Sequence, residues 1–322
     1  MNTFKFTINI ISKFYRLITS FDWEYIIPML FIHLKYPGLK NRPSRLASLK
    51  HIKFAYFERS FANILKKYEN FSFTTNINNG PIWVCWLQGE DAMPDIVKKC
   101  YIRLQQMAPK SRDVILITWE NLKKYTDIPD YIIEKVHKNH MTYVHFSDII
   151  RFSLLANHGG LWVDSTIYVS RPITESIFSK PYFSIRTEFG AETEYKYNGV
   201  NRCLWKPFLL GAAANSTWFC CAKDIIYEYW RSNSFLIDYF TVDYILLTIY
   251  DYLVQVKESV DSSVEVAPYM YEIEKIANLP YNDNHYRAIC EQCQWFKLSY
   301  KLPFKNTTID GHTTYIGAIL QH

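Results

Sequence analysis

From residue 80 onward the chain alternates between short runs that are apolar at almost every position and longer stretches in which apolar residues recur every three or four. The first kind, at 82–87, 113–118 and 161–163, predicts strands buried on both faces. The second, at 94–107, 217–231 and 242–256, predicts amphipathic helices. Within 94–107 the apolar positions are Ile96, Val97, Cys100, Leu104 and Met107, which share one helical face. Strand, helix and strand over 82–118 form a parallel βαβ unit, and ligands of such units lie at the carboxyl ends of the strands. No Gly-x-Gly-x-x-Gly follows the first strand, so a dinucleotide site is not expected. Further extended pieces are expected at 141–145, 167–169, 182–187 and near 208–212. Ser147 is placed to cap a helix over 148–157 that Gly159-Gly160 then stops.

Before residue 76 the pattern is different. Aromatic and aliphatic residues such as Phe54, Phe57, Phe61, Ile64 and Leu65 are interleaved with Lys53, Arg59, Lys66 and Lys67 at helical spacing. Basic amphipathic helices of this kind either lie on an anionic membrane surface or pack their apolar stripe on the main domain. The turn-forming cluster Asn76-Ile77-Asn78-Asn79-Gly80-Pro81 separates this segment, 1–75, from an α/β domain spanning 76–322.

Composition adds limits. At 49% hydrophobic and 21% charged, 322 residues can bury a sizeable core. The 25 Tyr, 21 Phe and 9 Trp exceed what a core needs, so some rings are expected to line a site or a membrane-facing surface. A formal charge of +5 is too small to imply nucleic acid. Seven cysteines without a regular framework fit a reducing compartment, and Cys290-x-x-Cys293 lacks the second pair a zinc site needs. The apolar run over 6–11 is interrupted by Thr7 and Asn9 and has no cleavage site after it, so no signal peptide is expected. Nor is there an apolar stretch long enough for a transmembrane helix. A cytoplasmic protein, peripheral on the inner face of the membrane, is the expectation.

The chemistry converges on 147–166. Asp148 and Arg151, three apart on one helix, share a face; a carboxylate there can hold sugar hydroxyls and an arginine can hold a phosphate. An ordinary intrahelical ion pair would look the same. Asp164 ends the run Leu161-Trp162-Val163, and a charge at the end of a buried strand is costly unless it is paired or binds a metal. If the chain stays extended, Asp164 and Thr166 point the same way and offer a carboxylate and a hydroxyl to one Mg²⁺ or Mn²⁺.

The string Phe146-Ser147-Asp148-Ile149-Ile150-Arg151-Phe152, followed after five residues by His158-Gly159-Gly160-Leu161-Trp162-Val163-Asp164-Ser165-Thr166, resembles the Ser-Asp-x-x-Arg…Gly-Gly-x-Tyr-x-Asp-x-Asp core of family 32 glycosyltransferases. It is closest to the bacterial capsular polysaccharide synthesis proteins. The strand Ile82-Trp83-Val84-Cys85-Trp86-Leu87 with Gln88-Gly89 extends the likeness over about 81–175. This resemblance implies a GT-A fold, a UDP-sugar donor, a divalent cation and retaining transfer. It implies that Trp86 stacks on the uracil, that Asp148 and Arg151 hold ribose and donor sugar, and that Asp164 meets ribose and metal. Trp162 stands where the family commonly has Tyr, Gly160 belongs to the motif's Gly-Gly, and Thr166 replaces the second acid of Asp-x-Asp. Metal affinity would then be weaker, or a C-terminal group such as Lys297, Lys301 or His312 would reach metal or diphosphate. Asp238 and Asp243 are candidates for acceptor hydroxyls.

The expected function is transfer of a hexose, galactose or glucose, from UDP to a lipid-linked or oligosaccharide acceptor in capsule or exopolysaccharide synthesis. Two other classes share these features: a non-catalytic nucleotide-sugar-binding assembly protein and a sugar-phosphate transferase.

Overall fold

Trp83 and Trp162 point to one side of a central sheet while Ile82, Val84, Leu161 and Val163 point to the other, and all six are buried. That alternation with both faces covered is what the continuous apolar runs require, and it organises the protein. The computed structural model describes residues 18–36, 43–71, 79–186 and 200–321. The expected apolar run over 6–11 lies outside the described residues, as do Asn76, Ile77 and Asn78 of the turn cluster and Thr187.

The first strand, β1 (Ile82–Cys85), pairs in parallel with β2 (Val114–Ile117) on one side and β3 (Gly160–Val163) on the other. Antiparallel to β3 runs β6 (Leu209–Ala212), which pairs antiparallel with β5 (Tyr182–Arg186); β5 pairs in parallel with the short β7 (Glu265–Val266). The order is β2-β1-β3-β6-β5-β7, with β6 alone reversed. A second ribbon pairs β4 (Ile167–Val169) with β8 (Trp295–Lys297) in antiparallel register.

One face carries helices α1 (Trp23–Lys35) and α2 (Pro43–Ser60), together with α4 (Tyr143–His158), α5 (Thr217–Ser232) and α6 (Thr241–Tyr252). The other carries α3 (Asp95–Met107), whose Ile96, Val97, Cys100 and Leu104 are buried as their spacing predicts. The α2 helix is stitched to α6 by rings: Phe54 and Phe57 pack on Tyr244 at 4.9 and 6.0 Å. The helices before residue 76 and those after it therefore bury one continuous apolar cluster.

Two local expectations are corrected. Residues 141–145 are not extended: α4 begins at Tyr143, and its N-cap is Thr142, whose side chain accepts from the His145 N–H. Tyr143 and Val144 are exposed, so no packing rewards their strand propensity. Ser147 Oγ instead donates to the Val144 carbonyl. Asp148 consequently sits in the second turn, away from the favourable N-terminal end of the helix dipole. The helix expected over 242–256 is two helices, α6 and Val254–Ser263, because Leu253 is extended and closes one while opening the next.

Gly160 shows why the Gly-Gly step is glycine. Its φ is +97°, and a Cβ would come within 2.1 Å of the Pro81 carbonyl oxygen. Its place at the start of β3, at the far end of the strand from Asp164, makes it a packing residue of the β1–β3 contact.

Candidate active site

Asp164 follows β3 directly. Its N–H donates to the Phe208 carbonyl, continuing the β3–β6 ladder, and its carbonyl accepts from Ile167 N–H. The chain therefore turns over 164–167 and does not stay extended, yet Asp164 and Thr166 still converge on one partner. Lys297 Nζ donates to Asp164 Oδ2 at 3.0 Å and to Thr166 Oγ1 at 2.7 Å. The β4–β8 ribbon produces this: Lys297 is paired with Ile167, and Leu298 N–H bonds the Thr166 carbonyl.

The other carboxylate oxygen, Asp164 Oδ1, accepts from Trp162 Nε1 at 2.8 Å and Arg151 Nη2 at 3.0 Å. Arg151 also donates through Nη1 to Asp148 Oδ1 at 2.9 Å, and its guanidinium lies 4.8 Å from the Trp162 ring centre. With its side chain 4% exposed, Arg151 is a buried cation held between two acids and an aromatic face. Trp162 thus orients Asp164 and supports Arg151.

Electrostatics divide the acids. Burial pushes the Asp164 carboxyl up, but the charges of Lys297 and Arg151 outweigh it and hold the group at about 2. Burial pushes Asp148 up to about 6, against the pull of Arg151, and the Asp164 charge adds to the rise. Asp243 is pushed by burial to about 7, opposed by its hydrogen bond from Asn201 and raised further by Asp148. Asp164 is therefore the permanently ionised member, while Asp148 and Asp243 titrate near neutrality.

These groups line one open cavity of about 660 Å³, a size typical of small-molecule sites. Its wall draws on α2 (Lys50, Lys53), on the loop before β6 (Asn201, Lys206, Phe208) and on the rim residues Tyr239 and Phe240. Lys53 pairs with Asp238, and Lys206 lies 5.6 Å from the Tyr271 ring centre. Of the expected site residues, the cavity brings together Asp148, Arg151, Asp164, Asp238, Asp243 and Lys297. Trp86 is elsewhere: its indole N–H donates to the Ala92 carbonyl, and its ring meets Tyr300 edge-on at 5.6 Å, with Lys301 close over Tyr300. His312 is exposed on the hairpin 307–313 and does not line the cavity.

Asn201, Lys206 and the α2 lysines were not foreseen. Asn201 has a faint sequence signal as a turn former: its Oδ1 accepts from Cys203 N–H, while Arg202 and Cys203 both take positive φ. Lys50, Lys53 and Lys206 have none, being ordinary lysines until packing places them.

A divalent cation shared by Asp164 and Thr166 does not fit this arrangement. Both Asp164 oxygens and the Thr166 hydroxyl accept from protein donors, and the Lys297 ammonium lies between the two side chains where such a cation would lie. Among the described residues no group of three or more His, Cys, Asp or Glu side chains could hold a metal ion.

Residues 40–319 match the protein family described as capsular polysaccharide synthesis protein. No curated protein and no solved structure matches the chain.

Proposed function

The chain belongs to the capsular polysaccharide synthesis protein family, matched over 40–319, and from that premise we propose that it is a glycosyltransferase of GT-A type moving a hexose from UDP to an oligosaccharide or lipid-linked acceptor. The observation that carries this reading is the charge balance of the cavity. Five cations line it, Lys50, Lys53, Arg151, Lys206 and Lys297, against four acids, Asp148, Asp164, Asp238 and Asp243, and burial raises two of those acids, Asp148 to about 6 and Asp243 to about 7. Such a surplus of cations suits a diphosphate, and carboxyls suit sugar hydroxyls. The parallel strands β2-β1-β3, with Asp164 at a carboxyl end, support a nucleotide-sugar site of the GT-A kind.

In this reading the acceptor hydroxyl oxygen attacks the anomeric carbon. The bond from that carbon to the diphosphate oxygen breaks, and the nucleotide leaves with the bonding electron pair. The acceptor proton passes to Asp243, whose raised pKa suits a base working near neutral pH. A direct test is a panel of UDP- and GDP-sugars offered with oligosaccharide acceptors while the released nucleotide is identified. Release of UDP with a rate that rises through pH 7 is expected. UMP release would point to a sugar-phosphate transferase, and nucleotide binding without any turnover to an assembly protein.

The acceptor side has a second support. On α1, Trp23, Ile27, Phe31 and Leu34 are all more than half exposed and lie along one face, while Tyr25 and Ile26 anchor the opposite face in the core. Lys35, Lys40, Arg42 and Arg45 follow in sequence. An apolar stripe with basic neighbours suits an anionic membrane that carries a lipid-linked acceptor; no helix among the described residues is long and apolar enough to cross one. The full chain is expected to float with phosphatidylglycerol vesicles and the Ile27→Asp/Phe31→Asp variant to remain at the bottom of the gradient. Wild-type protein that stays with the soluble fraction would rule out membrane docking through α1.

A further inference from the structure

We propose that the Lys297 ammonium does the work of the divalent cation in this site, so that the chain binds its nucleoside diphosphate, and stabilises its departure, without metal. The inference deepens the transferase reading and rests on it.

The first support is position. Lys297 Nζ bonds Asp164 Oδ2 and Thr166 Oγ1, the two oxygens that an Asp-x-Thr sequence would offer a cation. The second is that this lysine is not a swinging surface chain. Its strand is locked by the Ile167 register, its own N–H donates to the Met270 carbonyl at 2.7 Å, and its ammonium rests 5.0 Å from the Phe208 ring centre. The third is charge. Two carboxylates balance a divalent cation, whereas Asp164 with a neutral Thr166 carries one negative charge, which one ammonium balances. The fourth is donor count: an ammonium has three N–H groups, and two are taken by Asp164 and Thr166, leaving one for a ligand oxygen in the cavity that Lys297 lines.

In the transfer step no proton leaves Lys297. As the bond between the anomeric carbon and the diphosphate oxygen breaks, the electron pair collects on that oxygen, and the third N–H donates a charge-assisted hydrogen bond to it. Arg151 contributes a second fixed positive charge through its bond to Asp164.

The test is calorimetric titration of UDP into the full chain, in EDTA and in Mn²⁺, for wild type, Lys297→Met and Lys297→Arg, with GDP titrated into wild type under the same two conditions and thermal unfolding as a check on folding. Wild type is expected to bind UDP in EDTA with an affinity that Mn²⁺ leaves unchanged. Lys297→Met, which keeps the aliphatic stem, should weaken UDP roughly 10- to 100-fold, the worth of one charged hydrogen bond. Lys297→Arg should retain binding in EDTA, and it decides the matter together with the wild-type arm if the Met variant does not fold. Wild-type binding that requires Mn²⁺ overturns the proposal and leaves the transferase reading intact, as does undiminished binding by Lys297→Met. Failure of UDP and GDP alike to bind under either condition overturns the transferase reading and this inference with it.

Discussion

Asp164→Asn is expected to lower sugar transfer by about a thousandfold, within the range seen when one charged or hydrogen-bonding group is removed from a preorganised site, while the protein remains folded. The carboxylate accepts three hydrogen bonds, from Trp162, Arg151 and Lys297. An asparagine amide keeps the shape but offers one acceptor oxygen and turns its NH₂ toward a cation. Arg151 and Lys297 then lose their common counter-charge, and the pair that frames the ligand opens. Turnover measured as nucleotide release, beside a thermal melt and UDP titration, separates a lost reaction from a lost fold. Turnover at the wild-type rate would remove Asp164 from the reaction altogether. The pH dependence carries a further sign. The Asp164 carboxyl is held at about 2, below its ordinary value, so its contribution to stability is complete at neutral pH and is lost as pH falls through that range.

Arg151→Met is expected to be the most destabilising single change in the site, by about 3–5 kcal/mol, the usual consequence of removing one partner from a buried ion pair. Arg151 is 4% exposed and links Asp148 to Asp164. Without it two acids face each other with only Lys297 to compensate one of them. Adding Asp148→Asn should recover part of the loss, because it removes one of the stranded charges, and a coupling of about 1–3 kcal/mol is expected in a double-mutant cycle for residues in direct contact. The loss should also be smaller at pH 5 than at pH 8. Asp148 already titrates near 6 in the folded chain, above its unfolded value, so the folded state holds the extra proton at pH 5 and must give it up as pH rises. Equal destabilisation at both pH values would mean that Asp148 is not the acid Arg151 compensates. Chemical denaturation at the two pH values provides the measurement.

These two residues also mark how far local pattern reaches. The strands 82–85, 114–117 and 160–163 are legible because a strand buried on both faces leaves no polar position, and α3 is legible because its apolar spacing is regular over 13 residues. Asp164 stands out for the same reason, as a charge directly after such a run. Where two local preferences compete, the pattern misleads. Tyr143 and Val144 favour a strand, but with no sheet to receive them and Thr142 able to cap, they begin a helix. Leu253 interrupts an apolar periodicity that continues smoothly across it, so nothing in the spacing announces the break.

The chain by itself determined the α/β alternation, the βαβ unit, the Asp148–Arg151 helical pair and the acid at the end of β3, because each depends on residues a few positions apart. Only the tertiary structure decided what Asp164 is bonded to. Lys297 lies 133 residues further along and arrives through the β4–β8 register, which no spacing encodes. It likewise decided that burial raises Asp243 to about 7, opposed by its hydrogen bond from Asn201 and with the Asp148 charge adding to the rise, and that lysines of α2 join the same cavity. Hydrophobic periodicity is a local property of the sequence, whereas ionisation and charge pairing depend on distance and burial, and these are set only when the distant segments pack.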